Sequence, residues 1–192
     1  MLDFDLVLKN DLVLLRPLVY DDYSSFEQLT GDRSMWIYFT SDLSIRQELK
    51  AWINDAIEDT RSKIRLAFAV VDRSSGIAVG STSFGNISNR DKRLEIGWTW
   101  IGREFQGRGI NDSMKFLMLK YAFETLEFER VEMKTDVLNI HARRALLRIG
   151  ATEEGILRSH TLMTNGRRRD TIYYSILRSE WCEIKGKSEK IN

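Results

Sequence analysis

The run Ile101-Gly102-Arg103-Glu104-Phe105-Gln106-Gly107-Arg108-Gly109-Ile110-Asn111-Asp112-Ser113 decides how the chain is organised. An alternating apolar pattern ends just before it, and a helical pattern begins just after it. Gly107 and Gly109 free the backbone to bend and let a ligand approach main-chain N–H groups with no Cβ in the way. The first-turn N–H groups of a helix have no internal acceptors, and the helix dipole adds partial positive charge there. Strand, glycine turn and helix N-terminus together make an anion site suited to phosphate. Two glycines at this spacing also serve as a plain strand-to-helix turn, so the flanking sequence has to discriminate.

Immediately upstream, Leu94-Glu-Ile-Gly-Trp-Thr-Trp-Ile101 reads as a strand in which period-two alternation puts Leu94, Ile96, Trp98 and Trp100 on one face. Downstream, a helix is expected over about 112–126, with Met114, Leu117, Met118, Tyr121 and Ala122 on its apolar side. A strand at 130–137 follows. Asn139 is placed to cap a short helix that buries Ala142, Ala145, Leu146 and Ile149 and stops at Gly150. Asn165-Gly166 between two strand patterns, 156–164 and 167–177, marks a hairpin. Further upstream lie a strand at 12–18, closed by Pro17, and helices at 21–29 and 44–60. Strands at 65–71 and 77–87 then follow, joined by a turn at Asp72-Arg-Ser-Ser-Gly76. This order predicts an α/β fold with a mixed, mostly antiparallel sheet of about seven strands and helices on both faces. One domain is expected over 1–181, with a polar, lysine-rich, loosely held tail over 182–192.

Composition narrows the classes. The chain has 192 residues, 43% of them apolar and 30% charged, with a formal charge of +1. Such a balance gives no global drive toward nucleic acid or membrane. Cys182 is the only cysteine, which excludes an intrachain disulfide and a cysteine metal cluster, and no metal site is expected. Met1-Leu-Asp-Phe-Asp-Leu6 has no basic region and no long apolar run, so it is not expected to be a signal peptide, and no stretch approaches the ~20 apolar residues of a membrane span. A cytoplasmic protein with no membrane partner is the expectation, and a homodimer is compatible with it. Arg158 and Arg167-Arg168-Arg169 raise the alternative of an RNA-binding patch. Strand alternation splits these arginines between two faces, Asp170 is available to pair with them, and a solvated hairpin face is the preferred reading.

The glycine turn fails two phosphate-loop patterns. A dinucleotide fingerprint needs a third glycine where Asp112 stands, and no Gly-Lys-Ser/Thr is present for a Walker-type loop. Taken as an ordered set, Glu95-Ile-Gly-Trp98, Gln106-Gly-Arg-Gly-Ile110, Asn139, Gly150-Ala151, Glu154-Gly-Ile-Leu-Arg158 and Gly166-Arg-x-Arg-Asp170-x-x-x-Tyr174-Ser175 resemble the GCN5-related N-acetyltransferase (GNAT) superfamily. The likeness is to its RimJ/RimL-type branch and runs from Leu12 to about Trp181. Gln106 and Gly109 match the first and fourth positions of the family's Gln/Arg-x-x-Gly-x-Gly/Ala motif, and Asn111 departs from it at the sixth.

The resemblance implies acetyl-CoA as donor and a primary amine as acceptor, either a protein N-terminus or a small molecule. It places the cofactor's pyrophosphate on the turn formed by Gln106, Gly107, Arg108, Gly109, Ile110 and Asn111. The pantetheine arm would lie along the backbone of Trp100 and Ile101 and against Asn139. Amine acetylation requires loss of the amine's proton, stabilisation of an oxyanion and release of a thiolate. Glu95 is the candidate general base, and a salt-bridged strand glutamate is the competing role. His141 and His160 have weaker claims. The branch often carries Ser three residues after the Asn, where this chain has Ala142, and other members carry a Tyr where it has Leu146. No acid for the thiolate is therefore evident, which leaves a catalytically weak acyl-CoA-binding sensor as the alternative.

Overall fold

The structure, a computed structural model, describes residues 1–188. Its strands are β1 (Leu8–Lys9), β2 (Val13–Pro17), β3 (Leu66–Asp72), β4 (Ile77–Ser88), β5 (Arg93–Ile101), β6 (Arg130–Asp136), β7 (Thr152–Leu162) and β8 (Arg168–Leu177). The α-helices are α1 (Tyr23–Leu29), α2 (Arg46–Arg61), α3 (Ile110–Lys120), α4 (Ile140–Arg148) and α5 (Arg178–Ser188). One sheet runs β1-β2-β3-β4-β5-β6-β8-β7. It has eight strands where about seven were expected. The addition is β1, a two-residue edge strand antiparallel to β2 and too short to leave a periodic signature. The Asn10 side chain turns the chain between them by accepting from the N–H groups of Leu12 and Val13.

All neighbours pair antiparallel except β5 and β6, which are parallel because α3 carries the chain back across the sheet. That pairing is confined to Arg93↔Arg130, Leu94↔Val131 and Glu95↔Glu132. Beyond Glu95 the two strands part, and the edge of β5 from Ile96 to Ile101 faces a crevice.

Each face of the sheet is covered, so β3 is buried along its whole length. Its Leu66, Phe68 and Val70 join Phe84, Leu94, Ile96, Met114 and Met118 on the α3 side. Ala67, Ala69 and Val71 join Leu49, Trp52 and Ile53 of α2 on the other side. The expected single face for Leu94, Ile96, Trp98 and Trp100 is corrected here. Ser83 pairs with Gly97 and Ser81 with Trp100, so Trp98 and Thr99 together oppose Thr82. Trp98 has φ +52°, a left-handed conformation, and the extra residue is a β-bulge. Past the bulge the count of alternation shifts. Trp100 turns away from the α3 core and packs edge-on to Phe26 and Trp36, at centroid distances of 4.7 and 5.6 Å.

Two helix ends also differ from expectation. The α-helical bonding of α3 stops at Lys120, and the chain continues to Thr125 as a wider turn in which Leu126 N–H donates to Tyr121 O. Where a loosely held tail was expected from Cys182, α5 runs on to Ser188. It is anchored by Trp181, which packs against Phe116 and Phe123 and donates to Glu124 at 2.8 Å, and by Ile184. The polar, lysine-rich composition concealed this i, i+3 apolar anchor; residues 189–192 of the expected tail lie outside the described ones. No described helix is long and apolar enough to cross a membrane.

Candidate active site

The parting of β5 from β6 opens into a cavity of about 910 Å³. Glu95, Trp100, Ile101, Gln106, Gly107, Gly109, Asn111 and Asn139 all line it, so most of the sequence-predicted site residues come together. Arg108 and Ile110 do not. The Arg108 guanidinium lies over the Phe105 ring at 5.1 Å, and Ile110 is buried in the core. Ile110 can serve only through its main-chain N–H group, whereas the Arg108 side chain is exposed beside the turn.

At the turn, Gly107 and Gly109 take φ of +74° and +80°, and Gly109 occupies the position just before α3. A side chain is strained at either. Among the described residues, the backbone N–H groups from Gly107 through Asp112 have no hydrogen-bond acceptor, the first helical bond being Ser113 N–H to Gly109 O. A row of free donors at a helix N-terminus, open to a cavity, has the chemistry of a phosphate cradle. Gln106 braces the turn, since its Nε2 donates to Ile101 O at 2.9 Å. On the far wall, Asn139 Oδ1 accepts from Ala142 N–H at 3.0 Å and caps α4, which leaves Nδ2 as its group for a ligand.

Glu95 is 3% exposed at the end of the β5–β6 pairing. Its Oε2 accepts from Asn86 Nδ2 at 2.6 Å and from Lys134 Nζ at 2.8 Å. Its Oε1 has no hydrogen-bond donor among the described residues and occupies space that only a glycine at 97 leaves free, 2.7 Å from where a Cβ would stand. The geometry leaves room for both of the roles that its sequence position left open. One oxygen is salt-bridged, and the other is uncommitted. A second cleft of about 580 Å³, lined by Lys63, Asn86, Arg93, Lys134 and Tyr173, reaches the same carboxylate.

Lys115 is a feature that the sequence reading missed. It projects from the second turn of α3 into the cavity wall and is 5% exposed. Its Nζ donates to Thr99 Oγ1 at 3.1 Å, and that hydroxyl lies 2.8 Å from Thr82 Oγ1. Its signal was a lysine three residues before Met118 and seven before Ala122, on the apolar stripe itself. Burial pulls its pKa down to about 7, against the opposing charge of Glu95. In the unfolded chain the same amine titrates near ~10.4. Between these values the unfolded state holds a proton that the folded state has released, so stability climbs with pH through this window. Below about pH 7 both states are protonated and the cost of burying the charge is complete. Lys115→Met is therefore expected to be more stable than the parent at pH 6.5, on the order of 2 kcal/mol, and to lack the parent's rise toward pH 10. Urea melts at pH 6.5 and 9.5 measure this; parallel pH dependence in the two proteins would contradict it.

The hairpin arginines are engaged individually. Arg167 pairs with the fully buried Asp136, Arg168 bonds Ser159, and Arg169 Nε donates to Thr171 Oγ1 at 3.0 Å. Desolvation lowers the Arg169 pKa, opposed chiefly by the charge of Asp136. Asp170 instead accepts from Ser159 N–H. Tyr174 is wholly buried, its hydroxyl held by Arg143 and Glu153. No cluster of three or more metal-ligating side chains occurs among the described residues.

A free-donor helix terminus opening into a split mixed sheet makes a site for a phosphate-bearing ligand. The chain belongs to the acetyltransferase (GNAT) domain family, which matches residues 13–152. It is 40% identical over 106 residues to "Putative ribosomal N-acetyltransferase YdaF" of Bacillus subtilis (strain 168); the alignment spans 55% of this chain and only 57% of that relative's length. It is 24% identical over 180 residues to the N-acetyltransferase p20 of Bacillus licheniformis, spanning 91% of this chain and 98% of that one. The crystal structure of a GCN5-related N-acetyltransferase from Brucella melitensis superposes with a TM-score of 0.89 at 27% identity, covering 97% of this chain and 85% of that one. The GNAT assignment and the RimJ/RimL-type branch indicated by the motifs agree with these relatives. Members of the family take the acetyl group from acetyl-CoA, and the cradle built here fits that donor.

Proposed function

We propose that this protein transfers the acetyl group of acetyl-CoA to a primary amine by direct attack, with a protein N-terminus or a small-molecule amine as acceptor. The observation that carries the reading is the run of free N–H groups from Gly107 through Asp112, opening into a cavity that reaches Glu95. The N–H groups of this turn, with Gln106 and Asn111 beside them, hold the pyrophosphate. The open edge of β5 at Trp100 and Ile101 and the Asn139 amide take the pantetheine arm. When bound, acetyl-CoA supplies an activated thioester.

Glu95 Oε1 accepts the acceptor's proton while Asn86 and Lys134 fix the carboxylate through Oε2. A main-chain N–H on the open edge of β5 is the oxyanion donor. From α4, Ala142 and Leu146 line the cavity, so no hydroxyl of that helix serves the thiolate. Rate enhancement then rests on positioning and on the base.

Acetyl-CoA at 100 times its Kd is expected to stabilise the protein by about 2.7 kcal/mol. Thiol release across a panel of peptides and small amines then separates an enzyme from a sensor. No thermal shift with acetyl-CoA, alongside a shift with NAD, contradicts the donor; binding without turnover on any amine favours the sensor.

A further inference from the structure

The basic groups of the cavity wall are not balanced by its own carboxylates. Lys134 pairs with Glu95, Arg103 with Asp32 and Arg148 with Asp112. Lys115 and Arg169 line the same cavity and form no ion pair among the described residues. Lys115 stands on the α3 wall. Arg169 stands on β8, opposite Thr161 of β7, across the cavity from the glycine turn.

Arg169 is 8% exposed, yet Nε is the only atom of its side chain that is hydrogen-bonded among the described residues. Its two Nη atoms have no partner among the described residues and are not sealed off, and the residue lines the cavity. Asp136, the strongest carboxylate influence on Arg169, is already committed to Arg167 and to Leu138 N–H. Thr171 Oγ1, fully buried, accepts from Arg169 and lies 3.1 Å from His160 Nδ1. A hydroxyl has one hydrogen to give and two lone pairs, so Thr171 Oγ1 accepts from Arg169 and still pairs with Nδ1 in either tautomer of His160. Nε2 of His160 has no hydrogen-bond partner among the described residues, and His160 also lines the cavity. One wall thus presents a guanidinium fork and an imidazole nitrogen, linked through a buried hydroxyl. Such a set matches a planar anion, and a carboxylate fits the fork with two parallel bonds.

We propose that Arg169 and His160 form a receptor for a carboxylate carried by the amine acceptor. This rests on the acetyl-transfer reading, in which the donor's phosphates are held on the opposite wall and this wall faces the second substrate. The acceptors are then amino acids, or peptides with an acidic side chain close to the amine, and not polyamines.

The test uses the full chain, acetyl-CoA and three acceptor mixtures. These are peptides randomised at positions two to four, free amino acids with their α-carboxamides, and polyamines, with products read by mass spectrometry. Among the peptides, Asp- or Glu-bearing products should exceed their Asn or Gln counterparts at least tenfold, and free amino acids should exceed their α-carboxamides by the same factor; R169M should bring these ratios close to one while R169K keeps part of them. The mixture that yields the acidic products separates peptide from amino-acid acceptors. Retained stabilisation by acetyl-CoA shows that a variant is folded; if R169M is not, R169K and H160Q carry the comparison. Equal yields of acidic and amide members, an acidic bias that survives in the variants, preferred acetylation of polyamines, or no product at all each overturns the receptor. In the last case, a persisting acetyl-CoA shift shows that the donor reading survives without it.

Discussion

Glu95→Gln is expected to lower kcat by about 10²- to 10⁴-fold, the range that a positioned general base contributes. The substitution keeps the size and planarity of the group. It removes the basicity of Oε1 and the negative charge that Lys134 and Asn86 hold through Oε2. Donor binding should be unchanged, because the cradle at Gly107 to Asp112 lies on a different element, the start of α3. The acetyl-CoA thermal shift should therefore match that of the parent. The pH profile gives the diagnostic detail. With no base, only amine that has already lost its proton reacts, so the variant's rate should rise about tenfold per pH unit up to the pKa of the acceptor. A loss of less than threefold, or a profile parallel to the parent's, would return Glu95 to the role of a strand salt bridge.

Gly109→Val is expected to weaken acetyl-CoA binding by at least about 100-fold, the equivalent of about 2.7 kcal/mol. Gly109 sits at φ +80° immediately before α3, and a β-branched residue there is a conformational outlier. Relief of the strain rotates the peptide planes on either side and turns the N–H groups away from their common focus. The fold itself should survive, since an added Cβ meets only Leu12 Cδ2, at an ordinary 3.4 Å. Calorimetric titration with acetyl-CoA and with CoA measures the effect. Similar losses for both would place the fault at the shared pyrophosphate. Unaltered affinity would show that the turn is only a turn.

The architecture could be read from local patterns wherever one period held along an element. The 3.6-residue stripe of α2, the capping of α4 by Asn139 and the Asn165-Gly166 hairpin are all local physics. They emerged with their expected partners. The bulge at Trp98 was not readable, because alternation continues smoothly through it in the sequence. The extra residue exists only in relation to β4 across the ladder. For the same reason the site was legible in part. Glycines at a strand–helix junction carry their own conformational signal. Lys115 stands on the apolar stripe of its helix, but that placement alone does not tell a buried lysine from one whose stem lies along the stripe with its amine in water. Arg169 looked like one of a solvated set until the hairpin turned it, and not its neighbours, toward the cavity. The anchor in α5 escaped because two apolar residues among lysines do not outweigh composition.

The short seam between β5 and β6 has a consequence for how the domain holds together. β2 and β3 share five paired positions and β6 and β8 share seven, whereas β5 and β6 share three. The β5–β6 seam is therefore the thinnest join inside the sheet, only the two-residue edge strand β1 being held by fewer pairs, and the bulge at Trp98 interrupts the regular spacing of amides along it. The backbone groups left along that margin must be satisfied from outside the chain. On the proposed acetyl-transfer reading, the donor's pantetheine arm furnishes the missing rungs. The protein and its donor are then two parts of one sheet, which releases one of its parts at the end of each turnover.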